Sequence, residues 1–122
     1  MTLVDTSVWV AHFRGSPRAA ALAQLVHDAE VLGHPWVVGE LALGSLGARR
    51  GAILADLRLL PQAPVVGHDD VLRMVDTHAL AASGIGWVDA HLAASALLAG
   101  ATLWTFDRSL HGVAKRMSIP VF

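Results

Sequence analysis

Short apolar runs alternate with helix-length segments along the whole chain, and this alternation restricts the fold more than any other feature of the sequence. Thr2 to Val4, Val31-Leu32, Val65-Val66, Thr102 to Thr105 and Ile119-Pro120-Val121 have the composition of brief buried strands. Between them lie helical patterns. The first covers Ser7 to Phe13, and the second, Arg18 to Asp28, has Leu22, Leu25 and Val26 at helical spacing. A third helix opens at Pro35, carries Glu40 among Val37, Val38, Leu41 and Leu43, and fades at Gly44. Arg50 to Leu60 is stopped by Pro61, Asp69 to Ala82 by Ser83-Gly84, and Trp87 to Leu98 by Gly100, with one more short helix after Asp107. Strands separated by helices need crossover connections and therefore pair in parallel, with helices on both faces. The expected fold is α/β, a three-layer sandwich with a short central parallel sheet, in one domain over residues 1–122.

In such sheets ligands bind beyond the carboxyl ends of the strands. Asp5 ends the first strand and Asp107 follows the strand Thr102 to Thr105, so both fall on one edge of the sheet. Glu40 and Asp89 stand in apolar helices, where a carboxylate is uncommon without a partner. Charged residues make up only 16% of the chain, with nine Lys and Arg in all, and none lies close in sequence to Glu40 or Asp89. A buried carboxylate needs a cation or hydrogen bonds to stay ionised, and a hard divalent cation with oxygen ligands meets that need for a gathered set of acids.

Composition excludes other classes. With 54% hydrophobic residues the chain is no disordered segment, and the surplus leaves apolar surface for a partner or a second copy to cover. Cysteine is absent, which removes disulfides, thiolate metal sites and Cys nucleophiles. The seven His residues show no zinc spacing, and His91, two residues from Asp89 on a helix, points away from it. Glycines form no phosphate-binding loop after a strand. Asp5 interrupts the first apolar run, which argues against a signal peptide, and no uncharged stretch reaches the ~20 residues of a spanning helix, so no membrane association and a cytoplasmic location are expected. Net charge is −1, but no acid follows Asp107 while Arg108, Lys115 and Arg116 do, and Arg49-Arg50 form a second basic spot.

Asp5-Thr6-Ser7 after the first strand, Glu40 in an early helix, and Val88-Asp89-Ala90-His91-Leu92-Ala93-Ala94-Ser95-Ala96 leading into Leu103-Trp104-Thr105-Phe106-Asp107 resemble the PIN domain. Among its members, the bacterial VapC-type ribonuclease toxins are the nearest in pattern. The resemblance spans essentially the whole chain, and the late block from Asp89 to Asp107 is its most specific part.

The resemblance implies a metal-dependent endoribonuclease, the toxin of a type II toxin–antitoxin system, that hydrolyses RNA with water activated by Mg²⁺, or Mn²⁺ in its place. It implies Asp5, Glu40, Asp89 and Asp107 as the metal-holding catalytic acids, and Ser7 and Thr105 as supporting hydroxyls. Some members carry a further acid two residues after the fourth, a position occupied here by Ser109. An acidic pocket repels RNA, so basic residues must bring the substrate in, and Arg14, Arg49, Arg50, Arg108 and Arg116 are the candidates. The implied partners are RNA, a VapB-type antitoxin and a second copy of the chain, with Trp9, Val8 and Phe13 as candidate partner contacts. The alternatives keep the fold and make it a catalytically weak partner-binding module or a housekeeping RNA-processing nuclease. A receiver domain would want paired acids after the first strand, and a haloacid-dehalogenase-like phosphatase an Asp at the position of Ser7; both fall behind.

Overall fold

A computed structural model describes all of residues 1–122. Three strands form the sheet: β1 (Thr2–Val4), β2 (Val31–Leu32) and β3 (Thr102–Trp104), in the order β2-β1-β3 and all parallel. Leu3 pairs with Leu32 on one side and with Leu103 on the other, so β1 is central and buried throughout. The chain leaves β1 towards one edge and returns to the other. This reversal opens a crevice at the carboxyl end of β1, where residue 5 begins.

Seven helices cover the sheet: α1 (Thr6–Phe13), α2 (Leu22–His27), α3 (Pro35–Leu43), α4 (Arg50–Leu59), α5 (His68–Thr77), α6 (Trp87–Ala99) and α7 (Arg108–Arg116). Helix α6 is the hub, with every residue from Ala90 to Ala96 buried, and it packs on α5, α7 and β3. Its Ala-rich sequence lets neighbours approach closely, and Gly100, at φ 62°, ends it in the left-handed conformation that a helix C-terminus favours. Twenty-nine buried apolar residues form one continuous core, with Leu3, Leu92, Leu103 and Leu110 fully enclosed.

The expected parallel sheet and flanking helices are present, with four local differences. Val65-Val66 is no strand. Pro64 interrupts that segment, and the β2 edge is instead extended by Gly33, whose N–H donates to Pro61 O at 2.8 Å and whose carbonyl accepts from Ala63 N at 2.9 Å. The end of the chain adds only a bridge of Val121 to Leu103, because Pro120 has no N–H for a ladder. The segment Arg18 to Asp28 opens as a 3₁₀ turn, Pro17–Ala19, and becomes α-helical only from Leu22. The helix expected to reach Ala82 stops at Thr77, and Ala79 and Ala82 take positive φ in the turns beyond it.

Candidate functional site

Asp5 is the most buried of the four acids, at 4% exposure. It occupies the N-cap position of α1 yet caps nothing with its side chain. Its Oδ2 instead accepts from the hydroxyls of Ser7 and Thr105, each at 2.7 Å. Those hydroxyls are held in turn: Ser7 Oγ accepts from Phe106 N at 3.0 Å, and Thr105 Oγ1 from Asp107 N at 3.0 Å. The strand-end turn after β3 is thus fastened to the carboxylate at the end of β1. The other oxygen, Oδ1, makes no hydrogen bond within the protein and is not sealed from solvent. Ser7 and Thr105, the two hydroxyls expected beside the acids, both reach Asp5.

Glu40 is exposed rather than buried, a correction to its expected apolar setting: it lies on the open side of α3, where Val37 and Leu41 take the inward positions. Its Oε1 accepts from Thr6 Oγ1 at 2.7 Å. Nothing in the sequence singles out Thr6, because a Thr at a helix start is ordinary. The one hint is its place between Asp5 and Ser7, one residue along the same turn.

Asp89 stands in the first turn of α6 and accepts from Gly86 N at 3.2 Å. Burial pushes its carboxyl above the usual carboxylate range; the Gly86 N–H opposes this, and the charges of Asp5, Asp107 and Glu40 each add to the upward push. Asp89 therefore feels the charge of the other three acids. Asp107 is the N-cap of α7, its Oδ1 accepting from Leu110 N at 2.8 Å. Three of the four acids thus sit at helix amino ends, whose partial positive charge favours carboxylates. Ser109 lies against Gly84, where an added Cβ would come within 3.0 Å of Ser109 Oγ.

No Lys or Arg pairs with any of the four; the sole salt bridge joins Arg73 and Asp70 on α5. The donors gathered are carboxylate and hydroxyl oxygens, with no imidazole or thiolate among them. No three of the acids close round a single point. An oxygen-seeking divalent cation that keeps several waters fits this open, all-oxygen set, and a fully enclosed ion does not.

The expected basic residues divide. Arg14 shares a depression with Glu40, and Arg108 one with Thr105 and Asp107. The other three lie elsewhere. Arg50 donates to Ala42 O at 2.9 Å, Arg116 donates to the carbonyls of His78 and Ala79 at 3.3 Å, and Arg49 lines a separate apolar groove of about 360 Å³ with Trp9, Phe13, Val26, Ile53 and Leu57. Val8 is wholly enclosed and is core, not a contact surface. His91 is buried and packs its ring against those of Trp36 and Trp87.

A family model for the PIN domain matches residues 2–116. The chain is also 50% identical over 111 residues to Ribonuclease VapC32 of Mycobacterium tuberculosis, in the strains CDC 1551 and H37Rv, covering 90% of this chain and 87% of each relative. With a three-stranded parallel sheet flanked by helices, and with this match along almost its full length, the chain belongs to the PIN domain family.

Proposed function

We propose that this chain is a metal-dependent endoribonuclease, the toxin of a type II toxin–antitoxin pair, in which Asp5, Glu40, Asp89 and Asp107 hold Mg²⁺ or Mn²⁺. One observation carries the reading: Asp5, buried at the carboxyl end of β1, has no cationic partner and keeps an oxygen free, while the charges of Asp5, Asp107 and Glu40 all bear on Asp89. The half-identity to a ribonuclease over nine-tenths of the chain supports the substrate class.

When bound, a divalent cation lowers the pKa of water and stabilises charge on the phosphoryl group and leaving oxygen. The protein supplies position. Ser7 and Thr105 fix Asp5 through Oδ2 and leave Oδ1, which would hold the cation, without a protein partner; Thr6 fixes Glu40 through Oε1. Asp89 and Asp107 complete the set from the first turns of α6 and α7. Ser7 and Thr105 donate to Asp5 and accept from backbone N–H groups, so neither hydroxyl is free to attack, and water is the nucleophile. Arg14 on the Glu40 side and Arg108 on the Asp107 side offset the repulsion of RNA by the acids.

A VapB-type antitoxin is the proposed inhibitory partner, and the apolar groove beside Trp9 and Phe13 is a surface able to receive it. Trp36, Leu43, Trp87 and Leu98, all exposed on α3 and α6, support a second copy of the chain as a further partner. A toxin that cuts RNA works in the cytoplasm, and no helix of this chain is long and apolar enough to cross a membrane. Purified Asp5→Ala and Asp89→Ala proteins are expected to fold and to lose Mg²⁺-dependent RNA cleavage. Full activity in either, with contaminating nuclease excluded, refutes the assignment.

A further inference from the structure

On α7, Arg108, His111, Gly112 and Lys115 occur at i, i+3, i+4 and i+7, the spacing of one helix face. The opposite face, Leu110, Val113 and Ala114, is buried in the core. The open face lines a depression of about 450 Å³ that runs to Thr105 and Asp107. Arg18, from the 3₁₀ turn before α2, forms its other wall, with its guanidinium 4.1 Å from the centre of the Phe106 ring. That contact holds the planar cation over an aromatic face at the mouth of the depression. Of the eight residues lining it, one is apolar. It is therefore no apolar pocket for a small ligand; three cations and an imidazole face an open channel beside the acids.

Gly112 carries the second observation. A glycine inside a helix costs about 1 kcal/mol relative to alanine and leaves the backbone bare. A Cβ added at Gly112 meets no atom within 4 Å and its φ is not in the left-handed range, so neither packing within the chain nor backbone conformation requires a glycine there. The bare backbone lies in the middle of the basic face, where a bulky side chain would stand in the channel.

Resting on the nuclease reading above, we propose that the channel formed by Arg18, Arg108, His111 and Lys115 over the bare backbone of Gly112 holds the sugar–phosphate backbone of single-stranded RNA as it leaves the acids on the Asp107 side. Arg18 and Lys115 grip phosphates on its two walls, and Gly112 is the floor over which the strand passes. Contacts to phosphate carry no base information, so the channel sets the path and affinity of the strand and leaves its sequence unread.

The test is fluorescence anisotropy of a labelled short single-stranded RNA on the full chain in EDTA, which prevents metal-dependent cleavage, over a range of salt. Arg18→Ala with Lys115→Ala is expected to weaken binding about tenfold and to flatten the slope of log K against log salt by about 0.7 for each phosphate that is no longer neutralised. Gly112→Glu is expected to weaken binding with no fall in melting temperature, since its side chain meets open space. Arg73→Ala on α5 removes one charge away from the channel and serves as the charge control. A wild-type chain that does not bind, or channel variants that bind with unchanged affinity and slope, overturns the proposal. Cleavage by wild type with unaltered binding in the variants overturns the channel alone. Binding that follows the variants, without any cleavage on adding Mg²⁺, overturns the nuclease reading and leaves the channel standing.

Discussion

The Thr6 hydroxyl donates to Glu40 Oε1 at 2.7 Å across 34 positions of sequence, tying the start of α1 to the middle of α3. This bond is the one side-chain restraint on an acid that is otherwise exposed. Groups that orient a metal-holding carboxylate typically matter about 10–100-fold to affinity or activity, so Thr6→Val is expected to reduce cleavage by about that factor. Thr6→Ser keeps the donor and is expected to restore most of the activity. Steady-state cleavage at several Mg²⁺ concentrations checks this, and a deficit that excess metal partly recovers identifies orientation of Glu40 as the cause.

Thr105 has a second duty, which a stability measurement separates from the first. Its hydroxyl donates to Asp5 and accepts from Asp107 N, and the residue is buried. Thr105→Val keeps the shape, removes both bonds and leaves a buried carboxylate short of a donor. The expected cost is about 1–3 kcal/mol of folding free energy, read from the denaturation midpoint at constant slope.

Asp89 gives a prediction about metal-free protein. Burial and three neighbouring carboxylates hold its pKa above the ordinary value, so the folded state takes up its proton more readily than the unfolded chain. The folded state is therefore favoured below the unfolded pKa, and that advantage disappears as pH rises through the raised folded pKa. Asp89→Asn, measured in EDTA at neutral pH, is expected to raise the melting temperature while abolishing cleavage. Adding Mg²⁺ to wild type is expected to stabilise it in proportion to ligand saturation, and the variant less so.

His34 produces a pH dependence of opposite sign, away from the acids. Its Nδ1 accepts from Trp36 N, which leaves the proton on Nε2 to donate to Ser95 Oγ at 3.0 Å. Burial, with a smaller contribution from His91, lowers its pKa to about 4. The unfolded chain binds this proton more tightly, so the associated stability is fully present above pH ~6.5 and declines as pH falls towards 4, by at most about 3 kcal/mol. Thermal melts between those values check it. His34→Asn keeps a helix-capping side chain and is expected to flatten the profile.

Several of these relationships are legible in the residues, though not always for the right reason. Asp5 and Asp107 follow from a topological rule, because a strand end in a parallel sheet places its next residue at the ligand edge. Glu40 stands out as an acid among Val and Leu, yet it is exposed, and the buried acid is Asp5. Apolar neighbours along a helix lie on all its faces, and composition alone does not say which face turns inward. The scarcity of cations near the acids is plain in the sequence. Helix amino ends at Asp5, Asp89 and Asp107 offset some of that uncompensated charge, a contribution visible only once helix starts are placed.

The basic residues are harder to sort. Arg49 and Arg50 form a conspicuous pair, yet Arg50 is spent on a carbonyl and Arg49 faces another groove. Lys115 belongs to the basic stretch after Asp107 but Arg18 looks ordinary in its segment, and their meeting depends on how the turn before α2 sits against α7. The expected strands Val65-Val66 and Ile119 to Val121 each have a proline beside or within them that removes one ladder donor; the first stays a loop and the second keeps only the bridge of Val121 to Leu103.

The fastening of Thr105 to Asp5 also has a consequence for how the protein is made. Asp5 leaves the ribosome 100 residues ahead of the hydroxyl that closes its shell, and its neighbour Asp107 comes later still. The central strand β1 likewise waits for β3 to pair along its second side. Throughout that interval the nascent chain gains Glu40 and Asp89 in turn but lacks Thr105 and Asp107. On the proposed site, a nascent chain is expected to gain its capacity to cut RNA only after β3 and the turn beyond it have emerged, and so to spare the message it is being read from until this domain is almost fully translated.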